Sequence, residues 1–136
     1  SGQYAVPYPP TTRIALVDLR DVAEVAAQVL TAPGHLGATY ELVGTAGFTQ
    51  EDVAAAMSAS LRRAITASEL PLAQWEQQAR ANGLGEYAVQ TLGKMFSYYA
   101  AYGLVGNVNV LAWLLGRAPR TLASFLAEAV ALTAGT

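Results

Sequence analysis

The sequence has no cysteine, a single histidine, and only 13% charged residues. Without cysteine there is neither a disulfide framework nor a thiolate nucleophile, which fits a cytoplasmic protein. His35 stands in a Pro-Gly-His-Leu-Gly turn with no second ligand at metal spacing, so no metal is expected and an exposed loop residue is the simpler reading. Three glycine motifs are also missing. There is no GxGxxG cradle for a dinucleotide pyrophosphate, no GxxxxGK[ST] phosphate loop and no GxSxG nucleophile turn. A Ser-His-carboxylate triad would have to use His35, and no serine is marked out for it.

Charge excludes a further class. The formal net charge is −2 and the eight basic residues are scattered, which leaves no electrostatic footprint for nucleic acid. Arg62-Arg63 is the only adjacent basic pair and reads as a solvated helix end. No run approaches the roughly 20 apolar residues of a membrane-spanning helix. Val108–Leu115, the longest apolar run near the C-terminus, is short and holds Asn109. No basic stretch followed by an apolar one opens the sequence, so no signal peptide is expected. Neither a nucleic-acid nor a membrane partner is expected.

What remains is unusually apolar. Hydrophobic residues make up 53% of 136, where about a quarter of a soluble domain is ordinarily charged. Either much of the surface packs against something else, or the chain binds something greasy.

In chain order, residues 1–12 carry three prolines and two tyrosines and read as an irregular lead-in arriving from elsewhere or crossing a surface. Residues 14–19 predict a strand covered on both faces. Asp21 then caps a helix with Val22, Val25, Ala26 and Val29 at helical spacing. Pro33-Gly34 and Gly37 close a loop, and residues 39–43 give a second strand ending at Gly44. Thr49 caps the next helix, with Glu51 and Asp52 in its first turn and Val53, Ala56, Met57, Ser60 and Leu61 on its packing face. Residues 63–70 are a short, polar strand.

Pro71 opens a helix with Leu72, Trp75 and Ala79 on one stripe, and Asn82-Gly83 stops it. Glu86–Tyr102 is the longest helix. It has one face of Val89, Leu92, Phe96 and Tyr99 and a second of Ala88, Met95, Tyr98 and Tyr102, which predicts contact on two sides. Gly103 and Gly106 break it before the short apolar segment at 108–115. Thr121 caps a last helix packing Leu122, Phe125, Leu126, Ala129 and Val130 inward. The predicted fold is α+β and mostly helical, with about five helices and two or three strands in a small or incomplete sheet. No internal repeat or low-complexity tract interrupts it.

Asp18-Leu19-Arg20-Asp21 is the densest polar cluster. Its two carboxylates would serve acid–base chemistry if one were buried with a raised pKa. A structural turn, with Asp21 as cap and Asp18 and Arg20 bonding backbone or each other, is the simpler account. Most of the aromatics of the second half read as core. Trp75, Tyr98 and Tyr99 are the best pocket candidates, joined by Met95 on the long helix and by Tyr8.

The ordered series RIALVDLRDVAEVAAQVL, TYELVG, FTQEDVAAAMSASLRR and YGLVGNVNVLAWLLGRAPRTLASFL resembles the C-terminal portion of NmrA-like proteins. These are atypical members of the short-chain dehydrogenase/reductase superfamily that bind NAD(P). The resemblance runs from about Tyr8 to the last helix. It implies that residues 1–136 form a single C-terminal substrate-binding portion, without the N-terminal dinucleotide-binding Rossmann half and its glycine-rich turn. It further implies that the strand at 39–43 completes the edge of the Rossmann sheet, and that NAD(P) is the cofactor of the full-length family but not of this chain alone. The superfamily's Tyr-x-x-x-Lys pair is not formed, because Gln90 stands four residues before Lys94. No catalytic, cofactor-binding or metal residue is therefore carried over.

Two functions follow as expectations. One is the substrate-binding portion of an NAD(P)-dependent oxidoreductase or redox sensor, not catalytic alone, whose partner is the Rossmann half of the parent protein or a second copy of itself. The other is a stand-alone small-molecule or protein-interaction module with an apolar helical pocket.

Overall fold

The computed structural model describes residues 2–134. Along it run β1 (Gly2–Val6), α1 (Leu19–Thr31), α2 (Gln50–Leu61), β2 (Ile65–Glu69), α3 (Leu72–Ala81), α4 (Glu86–Tyr102), α5 (Val108–Leu115) and α6 (Leu122–Ala134). The class is α+β and mostly helical, with one more helix among the described residues than expected. The additional helix is α5. Asn107 caps it by accepting from the Asn109 N–H, and Gly116 ends it in the left-handed conformation. The chain divides into two compact units, one up to Ile14 together with Phe48–Leu104, the other Ala15–Gly47 together with the residues from Val105 onward.

In the first unit β1 and β2 pair in parallel, from Gly2 opposite Ile65 to Val6 opposite Glu69. Parallel neighbours need a crossover, and α2 lies within it and packs on β2. Ser58 ties the two elements, its Oγ accepting from the Ile65 N–H at 2.9 Å. The lead-in is thus not irregular throughout. Its first residues, which precede Pro7, have a ladder partner in β2 and form a strand. At the start of α2 Thr49 and Asp52 exchange hydrogen bonds in a capping box. The long helix α4 buries Val89 and Gly93 and packs against α3. Its second face is not covered as expected, because Tyr98 and Tyr102 are exposed.

In the second unit the predicted strand at 14–19 does not form. Ile14 makes isolated bridges within the first unit, to Phe48 and Leu104. Residues 15–18 belong to no strand, and α1 begins at Leu19. The predicted strand at 39–43 is also absent. A strand needs a ladder partner, and among the described residues no backbone–backbone hydrogen bond reaches residues 40–43. The two segments meet at one point, where the Gly44 N–H donates to the Leu16 carbonyl at 3.0 Å. Helix α1 packs on α5, with Val25 and Leu111 buried. Thr121 caps α6, its Oγ1 accepting from the Ser124 N–H at 3.1 Å. Phe125 does not pack inward; it is 52% exposed.

Candidate functional site

The polar turn 18–21 divides its two carboxylates between different tasks. Asp18, not Asp21, is the N-cap of α1. Its Oδ1 accepts from the Arg20 backbone N–H at 2.8 Å and from Arg20 Nε at 2.9 Å, while Oδ2 pairs with Nη2 at 2.6 Å. The remaining Arg20 nitrogen, Nη1, reaches Glu128 on α6. The hydrogen bonds from Arg20 hold the Asp18 carboxyl at about 2.

Asp21 lies one helical turn on and is fully buried. Its Oδ2 accepts the Arg120 backbone N–H at 2.7 Å, and its Oδ1 accepts from Arg117 Nη2 at 2.8 Å and from Arg120 Nη1. Arg117 also bonds Glu24. Burial pushes the Asp21 carboxyl up, but the hydrogen bonds from Arg117 and Arg120 outweigh it, and the net direction is down. An ionised carboxylate with every oxygen engaged is no proton donor at neutral pH. The geometry is that of a structural turn.

Above this network sits a cavity of about 480 Å³. Its apolar walls are Leu16, Val17, Leu19, Leu122 and Phe125. The polar groups at its edge include Arg20, Arg120 and Thr45, whose Oγ1 accepts from the Leu16 N–H at 2.9 Å. Sequence reasoning missed this place, and with it Arg117 and Arg120. The available signal was LLGRAPRT, two arginines three apart in a chain poor in cations.

The aromatic pocket candidates fall in the first unit. Tyr8, Trp75 and Tyr99 gather around Phe96. Trp75 meets Phe96 edge-on at 4.8 Å between centroids, and Tyr8 meets Tyr99 edge-on at 5.9 Å and Phe96 at 6.0 Å. Burial pushes the Tyr8 hydroxyl up, with the neighbouring Tyr4 and Tyr99 adding to it. Tyr4 donates to Oε1 of the buried Gln50 at 2.9 Å. Met95 is half-buried on α4. Tyr98 is set apart from the cluster, exposed and packed on Tyr102 at 4.9 Å. Among the described residues there is no acidic, histidine or cysteine cluster fit to hold a metal ion, and no helix is long and apolar enough to cross a membrane.

No protein-family model matches the chain. An NAD(P)H azoreductase of Xenophilus azovorans is 31% identical over 113 residues, covering 83% of this chain and 40% of that protein. An NADPH-dependent quinone oxidoreductase from Escherichia coli superposes with a TM-score of 0.79 at 25% identity, over 94% of this chain and 46% of that one. An NmrA mutant shares the fold, with a TM-score of 0.65 at 14% identity over 96% of this chain and 44% of that one. The chain spans about two-fifths of the length of the curated relatives it matches. In sequence and in fold it corresponds to the C-terminal portion of an NmrA-like protein, an atypical short-chain dehydrogenase/reductase of the NAD(P)-binding kind.

Proposed function

We propose that this chain is the substrate-binding portion of an NAD(P)H-dependent oxidoreductase, or of a redox sensor of the same build, and that it turns nothing over alone. The observation that supports this most is the similarity to an NAD(P)H azoreductase across 83% of the chain, in a sequence without a glycine-rich phosphate turn. On this reading NAD(P) is held by the dinucleotide-binding Rossmann half of the parent protein, and the chain's partner is that half or a second copy of itself. Location is cytoplasmic, as for a cysteine-free chain of this composition. The substrate wall is drawn from Tyr8, Trp75, Met95, Tyr98 and Tyr99. The gathering of Tyr8, Trp75 and Tyr99 around Phe96 supports those three, while Tyr98 stands apart from them.

The test compares the chain alone with the chain joined to a dinucleotide-binding half, using NADPH with menadione or an azo dye. The expected result is turnover only when the half is present, with Trp75→Ala raising KM there severalfold. Turnover by the chain alone, or none with the half restored, overturns the proposal. A second reading is a small-molecule or protein-interaction module with no redox role, and the apolar cavity of the second unit favours it. Under that reading a ligand raises the melting temperature and NADP does not.

A further inference from the structure

We propose that the cavity of the second unit is a binding site for a small, neutral, aromatic compound bearing one acceptor oxygen, which Arg120 receives. It goes beyond the substrate wall proposed above, since every residue lining it belongs to the second unit. Its volume of about 480 Å³ falls within the roughly 300–1,000 Å³ of small-molecule sites. The entry to α1 and the first turns of α6 supply its apolar walls. Leu19 and Phe125 stand 77% and 52% exposed, so a flat ring entering there removes large apolar side chains from water.

The polar edge selects the rest of the ligand. Arg20 is already bonded through each of its three side-chain nitrogens, Nε and Nη2 to Asp18 and Nη1 to Glu128. Arg120 differs. It commits its backbone N–H and Nη1 to Asp21, and among the described residues no acceptor bonds its Nε or Nη2. The buried carboxylate of Asp21 fixes that guanidinium in advance, as a binding donor needs. Net charge sets the last requirement. Arg20, Arg117 and Arg120 face Asp18, Asp21, Glu24 and Glu128, three cations against four anions. The cavity lining holds Arg20 and Arg120 against Asp18, but the network that pairs these arginines has no surplus positive charge, so it favours a carbonyl over a carboxylate.

The experiment uses the whole 136-residue chain, methyl-labelled, titrated by NMR with 2-acetonaphthone. Two further probes control it: 2-ethylnaphthalene, of like shape without the oxygen, and 2-naphthoate, which carries charge. Saturable binding is expected, with the largest methyl shifts at Leu16, Val17 and Leu122. Both control probes should bind at least threefold more weakly. Phe125→Ser, at the cavity wall and half exposed, should weaken 2-acetonaphthone at least fivefold while leaving the spectrum folded. Absence of saturation, equal affinity for the three probes, shifts centred elsewhere, or an unaffected Phe125→Ser variant each overturn the proposal. So does self-association that Phe125→Ser abolishes in a chain that takes no probe, which would give the cavity to a second copy. The reductase reading is judged by turnover and stands or falls separately.

Discussion

Asp21 and Arg120 stand 99 positions apart, and the carboxylate of the first accepts both the backbone N–H, at 2.7 Å, and the Nη1 of the second. With Arg117, which donates to the same carboxylate at 2.8 Å, this fastens the approach to α6 onto the first turn of α1. A buried charge left without its partners costs far more than an exposed pair contributes. Asp21→Asn keeps the shape but removes the charge that both guanidiniums face. Loss of about 2–3 kcal/mol is expected, on the low side for a buried pair, because the two arginine side chains stay 36% and 34% exposed. Urea denaturation measures it. A change below about 0.5 kcal/mol, the range of ordinary surface substitutions, would show that the pairing does not hold the unit.

The acidic side chains also give the chain a directional response to pH. Hydrogen bonds from Arg20 hold Asp18 at about 2, and those from Arg80 and then Gln90 hold Glu86 at about 2. Asp52, bonded by the Thr49 N–H, and Asp21 are lowered as well. A folded pKa below the unfolded one contributes stability that is complete above the unfolded value, near 4, and is lost as pH falls through the folded value. The urea midpoint should therefore be level from pH 7 to about 5 and fall between about 4 and 2. Salt should flatten the part due to the exposed Glu86–Arg80 pair. A midpoint that rises on acidification would contradict the carboxylate pairings.

Local signals were enough where an element is decided by its own ends. Helix α4 runs from Glu86 to Tyr102 as read from its periodicity and from Gly103, and Thr49 caps α2 as expected. Strands are decided elsewhere. Residues 39–43 have the composition of a strand yet gain no ladder, whereas Gly2–Val6, in a proline-rich lead-in, gains one from β2. The choice between Asp18 and Asp21 as cap was equally non-local. Either aspartate suits a helix start, and Asp21 is taken by arginines 96 and 99 positions away. The cavity draws its lining from three separated stretches, around residues 16–20, 45 and 120–125, and no window of sequence contains it.

The capping box offers a local test against these long-range ones. Thr49 Oγ1 accepts the Asp52 N–H at 3.1 Å, and Asp52 Oδ2 accepts the Thr49 N–H at 2.9 Å. Thr49→Ala leaves the Asp52 N–H without its side-chain acceptor, while the backbone N–H at position 49 keeps Asp52 Oδ2, and should cost about 1 kcal/mol. Amide hydrogen exchange should quicken at the start of α2 while Val89, buried in the first turn of α4, stays protected. Equal acceleration along both helices would mean that the cap holds more than its own turn.

Two glycines separate the cost of backbone conformation from the cost of space. Gly83 has φ +85°, and a Cβ built there meets nothing within 4 Å. Gly103 has φ 67° and ψ −167°, a region nearly reserved for glycine. A Cβ there would also lie 2.8 Å from the Arg13 carbonyl oxygen. That oxygen is held in place by the Leu104 N–H at 2.9 Å, and it belongs to backbone, so it has little freedom to withdraw. Gly83→Ala should cost about 1 kcal/mol for the left-handed conformation alone. Gly103→Ala should cost at least about 1 kcal/mol more, read from urea midpoints at an unchanged slope. If the two variants lose equally, the turn after α4 moves enough to admit a methyl group, and the Arg13–Leu104 bond should then show early hydrogen exchange.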